Sequence, residues 1–237
     1  PFSRDPRADV TRQILSAFRR EGLWAGVYFS KPDWHSEYYW WPNFATPDRN
    51  VNYDIGRYPE RWARFKDFTS RQIEELMTGY GPMDILWLDG GWVAKKIEEA
   101  VRNSYLESVP HLESGFLKSR VVNQDIRIDE LVKKARTKQP QLIVVDRAVP
   151  GVHQNYLTPE NRVPEKMLPY PWESCIIMGG GWSYVPNAQF KSGRELVHML
   201  VDIVAKGGNL LLNIGPGPDG AWAADAYDRL EKIGDWM

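Results

Sequence analysis

Asp89 closes the apolar run Asp84-Ile85-Leu86-Trp87-Leu88-Asp89 and is followed by Gly90-Gly91. A carboxylate at the tip of a strand-length apolar segment puts a fixed charge at a strand mouth, where glycine lets backbone approach closely. A helix cap or a salt-bridge partner is the plainer use of the same residue. Glu160 lies in Leu157-Thr158-Pro159-Glu160-Asn161, within a long polar stretch where a Glu is ordinarily just solvated. Glu173 follows Trp172 directly before an apolar segment. A ring beside a carboxyl raises its pKa, as a general acid needs; a supporting structural Glu is the plainer reading. His35 follows Asp33-Trp34, a grouping suited to hydroxyl recognition, although Asp33 equally suits a turn. The chain holds 11 Trp, 11 Tyr and 8 Phe. Such rings ordinarily pack cores, but they also form the walls on which sugars stack. Two carboxylates and many rings can break a glycosidic bond: one carboxylate stabilises or captures the oxocarbenium-like centre and an acid protonates the departing oxygen. The pair stands about 5–5.5 Å apart in a retaining enzyme and ~6.5–9.5 Å apart in an inverting one.

Other chemistries find less support. The remaining histidines, His111, His153 and His198, show no metal-ligand spacing, so neither a metal nor a cofactor is expected. No G-x-S-x-G elbow is present for a serine hydrolase. Gly215-Pro216-Gly217-Pro218-Asp219-Gly220 reads as a turn, because its prolines remove the N–H donors a phosphate cradle uses. One cysteine, Cys175, excludes an internal disulfide framework and a multi-cysteine zinc site. Lys and Arg number 30 against 31 Asp and Glu, a balance that attracts neither nucleic acid nor an anionic membrane. No apolar run is long enough to span a bilayer.

The elements that must position these residues alternate. Helical periodicity predicts helices over 7–21, 58–80, 93–103, 126–138, 192–206 and 223–237. Strands are expected at 23–29, 83–89, 142–146, 174–178 and 209–214. Two long loops, 30–52 and 150–170, join them, and loops of that length are usually functional. The strands are continuous apolar runs, which means burial on both faces and a parallel sheet covered by helices. No repeat or composition break marks a second domain.

An open doubly wound sheet and a closed β/α barrel share this pattern. Polar residues recur where several strands end: Ser30 to His35, Asp89, Asp146-Arg147 and Asn213. A barrel builds its site from many strand ends, whereas a doubly wound sheet gathers ligands at one switch point. The expected fold is therefore an α/β, (β/α)8 TIM-like barrel over 1–237. About five strands are visible, so the barrel is expected to be incomplete, with early strands lying before Pro1.

At this point the chain resembles a known family, the retaining α-L-fucosidases of glycoside hydrolase family 29. The strings that carry the resemblance are Gly22-Leu23-Trp24-Ala25-Gly26-Val27-Tyr28-Phe29-Ser30 with Asp33-Trp34, then Asp84 to Gly90. Thr158-Pro159-Glu160, Pro171-Trp172-Glu173, Trp182-Ser183-Tyr184 and Gly208 to Pro216 with Asp219-Gly220 follow in order. The resemblance implies hydrolysis of terminal α-L-fucose through a fucosyl-enzyme, with Asp89 as nucleophile and Glu160 as acid/base, Glu173 being the alternative. It implies substrate contacts from Tyr28, Trp34, His35, Trp87, Arg147 and Trp182. The implied partner is a fucosylated oligosaccharide or glycoconjugate, and the implied location is secreted or periplasmic. Relative to the family pattern, 93–124 reads as an insertion, and the family's early barrel strands and C-terminal β-sandwich are expected to be missing here. A non-catalytic glycan-binding barrel, or another barrel glycoside hydrolase, is the alternative.

Overall fold

The computed structural model describes residues 4–5, 7–111, 120–147, 149 and 151–237. The chain start at 1–3, Pro150 of the second loop and 112–119 of the expected insertion lie outside the described residues. Two compact units result, Pro1–Gln154 and Asn155–Met237.

In the first unit, β1 (Gly26–Ser30), β2 (Ile85–Asp89) and β3 (Ile143–Asp146) form a parallel sheet in the order β1-β2-β3. Register pairs Tyr28 with Trp87 and Ser30 with Asp89, while Leu88 pairs with Asp146. Helices α1 (Val10–Arg20), α2 (Pro59–Gly79), α3 (Glu98–Ser108) and α4 (Ile128–Lys138) accompany the strands. Asp9 starts α1 by accepting the Arg12 N–H, and Pro59 opens α2, where its missing donor costs nothing. Alternation along the strands gives the sheet two different faces. Val27, Phe29, Leu86, Leu88 and Val144 pack on Leu15, Ile73, Met77, Val132 and Ala135 of the helices. Each such fully buried leucine contributes about 1.5–3 kcal/mol. Gly26, Tyr28 and Ser30 are exposed on the other face.

In the second unit, β4 (Trp172–Ile177) and β5 (Gly208–Asn213) pair in parallel. Helices α5 (Gly193–Ala205) and α6 (Ala224–Trp236) cover one side through Leu196, Ala226, Leu212, Ile214, Leu230 and Ile233. A reciprocal capping box, Ser192 with Glu195, sets the start of α5. The 215–220 segment is a turn: Gly217 N–H donates to the Ala221 carbonyl at 2.7 Å and Gly220 N–H to the Gly217 carbonyl at 2.9 Å.

Three expectations need correcting. The helix expected at 93–103 starts only at Glu98. Val93 and Ala94 are instead buried beside the aromatic loop, where Val93 joins Tyr39, Val51, Trp62 and Phe65, so burial overrides helical periodicity. The 150–170 stretch is not all loop. Leu157 and Glu160 form isolated parallel bridges to Trp172 and Cys175 of β4. Finally, Trp172 does not sit beside the Glu173 carboxyl. It is fully buried on the opposite side of β4, its indole N–H donating to the Lys206 carbonyl at 3.3 Å. Gly208 makes room for that ring, since a Cβ there would lie 2.4 Å from it.

Candidate active site

Asp89 ends β2, so the strand itself delivers its carboxylate to the C-terminal edge of the first sheet. Its Oδ2 accepts a hydrogen bond from the Tyr28 hydroxyl at 2.6 Å, and Oδ1 accepts the Gly90 N–H at 2.8 Å. Arg147, just past β3, brings a guanidinium nitrogen to 3.5 Å from Oδ1. The carboxylate side chain is 28% exposed, open enough to meet a substrate and desolvated enough to feel these partners. Burial, then the bond to Asp89, pushes the Tyr28 hydroxyl above its ordinary pKa, so it stays a donor at neutral pH. Gly90 has φ of 92°, and a Cβ there would meet Pro32 at 2.4 Å. Only glycine permits the chain to turn away so close to the carboxylate.

Trp87 lies on the same strand face as Asp89, and Tyr28 stacks on it at 5.3 Å and 22°. Arg147 stands over the same indole at 5.8 Å. Tyr28, Trp87, Asp89 and Arg147 thus form one contiguous group on three neighbouring strands.

Trp34 belongs to a separate aromatic stack, against Trp40 at 5.3 Å and Trp92 at 6.3 Å. The Arg49 carbonyl ties the stack together by accepting from the Trp34 and Trp92 indoles. Half of Trp34 remains exposed. His35 is exposed beside it, its backbone N–H bonded to the Asp33 carboxylate at 2.9 Å, so Asp33 is the turn former allowed for above. The whole loop rests on buried Gln124, whose oxygen accepts from Tyr39 and Val51 and whose nitrogen donates to Asn50 and the Trp92 carbonyl. Asp48 adds a two-pronged pair with Arg120.

In the second unit, Glu160 is exposed and in register with Cys175, two residues beyond Glu173. Alternation therefore sets Glu160 and Glu173 on one face, with Glu160 nearer the C-terminal end. Glu173 is the second residue of β4, at the opposite end from where parallel β/α sheets carry their chemistry. Asn161, at φ of 49°, anchors the Glu160 segment: its N–H donates to the Cys175 carbonyl at 2.8 Å and its Oδ1 accepts from Ile177 N–H at 3.0 Å. Trp182 is exposed, and its carbonyl accepts from Asn213 Nδ2 at the end of β5 at 3.1 Å.

In the sequence Lys31 and Asp146 stand out only as polar residues at strand ends, His153 only as a histidine without metal-ligand spacing, and Asn161 and Gln124 not at all. An asparagine directly after Glu160 was the available signal, since Asn tolerates the left-handed region. Among the described residues no group of three or more His, Cys, Asp or Glu could hold a metal ion, and no helix is long and apolar enough to cross a membrane.

A parallel β/α architecture carrying a hydrogen-bonded carboxylate, an arginine and stacked rings at strand C-termini defines a class: β/α proteins whose polar site lies at the strand ends. The family model described as alpha-L-fucosidase matches residues 2–237, and the chain belongs to that family. It is similar to the plasma alpha-L-fucosidase of Rattus norvegicus, 28% identical over 98% of this chain and 44% of the relative. The chain thus spans less than half the length of that curated relative. Among solved structures it is similar to alpha-L-fucosidase isoenzyme 1 from Paenibacillus thiaminolyticus, with a TM-score of 0.73 and 28% identity over 97% of this chain and 52% of the other. A GH29 enzyme from Bacteroides thetaiotaomicron, trapped as a covalent intermediate with 2-fluoro-fucosyl fluoride, shares the fold at TM-score 0.70 and 19% identity, over 99% of this chain and 51% of that one.

Proposed function

We propose that the protein is a retaining exo-glycosidase that removes terminal α-L-fucose from glycans, and that this chain is the later part of its β/α catalytic barrel. Asp89 attacks the anomeric carbon while Glu160 protonates the departing glycosidic oxygen, leaving a fucosyl ester on Asp89. Glu160, now a carboxylate, takes a proton from water, and that water attacks the same carbon and releases Asp89 with net retention. Tyr28 and the Gly90 N–H hold the two carboxylate oxygens, which keeps one lone pair aimed outward. Trp87 supplies an apolar wall and Arg147 a donor for sugar hydroxyls. Trp34, His35 and, in the second unit, Trp182 are each candidates for contacts with the glycan.

The observation that carries this reading is the group made by Asp89, Tyr28, Trp87 and Arg147, in a chain of the alpha-L-fucosidase family. Glu160 is preferred to Glu173 because of its place toward the strand C-terminus. The test is hydrolysis of an aryl α-L-fucoside by the intact protein, with Asp89→Ala as control. The variant should fold normally and lose turnover, and azide or formate should restore part of it. Full activity of Asp89→Ala ends the assignment. Fucose binding without hydrolysis by the wild-type protein assigns a glycan-binding barrel instead.

A further inference from the structure

Behind Asp89, on the helix-facing side of the sheet, sits an ion pair with no exposed surface. Lys31 follows β1 and Asp146 ends β3, and both side chains are completely buried. Lys31 Nζ donates to Asp146 Oδ1 at 2.5 Å. The two strands are not neighbours, since β2 lies between them, so the pair reaches across the end of the strand that carries Asp89. Burying two charges is expensive, and a well-packed apolar replacement is often as stable or more so. Stability alone is therefore a weak reason for the pair.

Its connections supply a better one. The Lys31 backbone N–H donates to the Asp89 carbonyl at 3.0 Å, and the Arg147 backbone N–H donates to the Leu88 carbonyl at 3.0 Å. Arg147 is the residue next to Asp146, and its guanidinium returns to the Asp89 carboxylate at 3.5 Å. A ring closes: Asp89 to Lys31 through the backbone, Lys31 to Asp146 through the ion pair, Asp146 to Arg147 through the chain, and Arg147 to Asp89. From the helix side, His153 Nε2 lies 3.6 Å from Asp146 Oδ2, an ion-pair distance beyond hydrogen-bond reach, while His153 Nδ1 lies 2.5 Å from Asp129 of α4.

We propose that Lys31 and Asp146 are positioning residues: their buried pair clamps the ends of β1 and β3 across β2, and so fixes the Asp89 carboxylate and the Arg147 guanidinium relative to each other. The inference rests on Asp89 being the nucleophile. The clamp touches no substrate and acts through backbone, so its loss should slow chemistry far more than it weakens sugar binding through Arg147.

The test uses Lys31→Met/Asp146→Leu in the intact protein, which removes both charges together and strands neither. Lys31→Gln/Asp146→Asn, which removes both charges but keeps side-chain volume and a neutral hydrogen bond, is the second variant in case the first does not fold. Circular dichroism selects the folded variant. Because misplacement of a reacting group by about 1 Å costs up to ~100-fold, kcat should drop by about tenfold or more while KM stays within roughly twofold. Labelling of Asp89 by a 2-fluoro-fucosyl fluoride, followed by mass, should slow by the same factor as kcat. If a folded variant labels and turns over at the wild-type rate, or if KM rises while kcat holds, the proposal is overturned. Failure of the wild-type protein itself to label at Asp89 refutes the functional reading instead, so the two failures are distinct.

Discussion

The Tyr28 hydroxyl and the Asp89 carboxylate, 61 residues apart in the chain, meet at 2.6 Å because β1 and β2 run side by side with Tyr28 opposite Trp87 and Ser30 opposite Asp89. Neither residue is in the other's local sequence context. Parallel pairing with a fixed register brings them together, and the odd-even alternation of each strand turns both to one face.

That bond should matter to rate more than to binding. Tyr28→Phe keeps the ring that stacks on Trp87 and deletes only the donor. A hydrogen bond to a charged group is worth about 1.5–3 kcal/mol, so kcat should fall by about tenfold or more with KM little changed. Steady-state kinetics on an aryl α-L-fucoside reads this directly, and an unchanged kcat removes Tyr28 from the machinery.

The two acid/base candidates separate by leaving group. Removing a general acid costs typically 10²–10⁴-fold, and Glu160→Gln should show a loss of about that size on a natural fucoside. The loss should shrink for an aryl fucoside whose leaving group needs no proton. Glu173→Gln should show no such dependence on the leaving group. The reverse pattern would transfer the role to Glu173.

His153 couples stability to pH. Its pairing with Asp146, then with Asp129, outweighs burial and raises its pKa above the ordinary 6.5. The folded protein therefore holds the proton more tightly than the unfolded chain does. The stabilisation is fully present below the unfolded value and is lost as pH rises through the higher folded value. Beyond the two carboxylates, Lys31 shares Asp146, and Arg136 donates to the His153 carbonyl at 3.1 Å. Thermal melts of wild type and His153→Gln should diverge most near pH ~5.5 and converge toward pH ~9. A gap independent of pH excludes a charged imidazolium.

Gln124 should hold up the aromatic loop. It is fully buried with both ends of its amide bonded. Gln124→Leu leaves the Val51 N–H and Asn50 without their partner, and an unsatisfied buried group costs about 1–3 kcal/mol. A small domain of the first unit's size would lose several degrees of melting temperature for each kcal/mol. Hydrogen exchange at 34–52 should rise with it; a loop as protected as in the wild type would show that Gln124 is dispensable.

By itself, the order of residues determined the alternation of strands and helices, because apolar runs bounded by Gly, Pro and capping residues carry local information. Ser192 to Lys206 and Asn209 to Ile214 were found within one or two residues of α5 and β5. Asp89 was legible for the same reason, as a carboxylate ending an apolar run. Burial was not local. The start of α3 moved from Val93 to Glu98 because Val93 is claimed by a cluster formed with residues from Tyr39 to Ile126. Leu157 to Glu160, polar and proline-containing, reads as loop, and only the bridges of Leu157 and Glu160 to β4 tie it to the sheet. Trp172 and Glu173, adjacent in sequence, ended on opposite faces. The partners of Asp89 and the buried charges behind it were likewise decided by tertiary structure, since a 2.5 Å contact between Lys31 and Asp146 depends on strand order and register. Those are properties of pairing between distant segments, and hydrophobic periodicity within one segment carries no record of them.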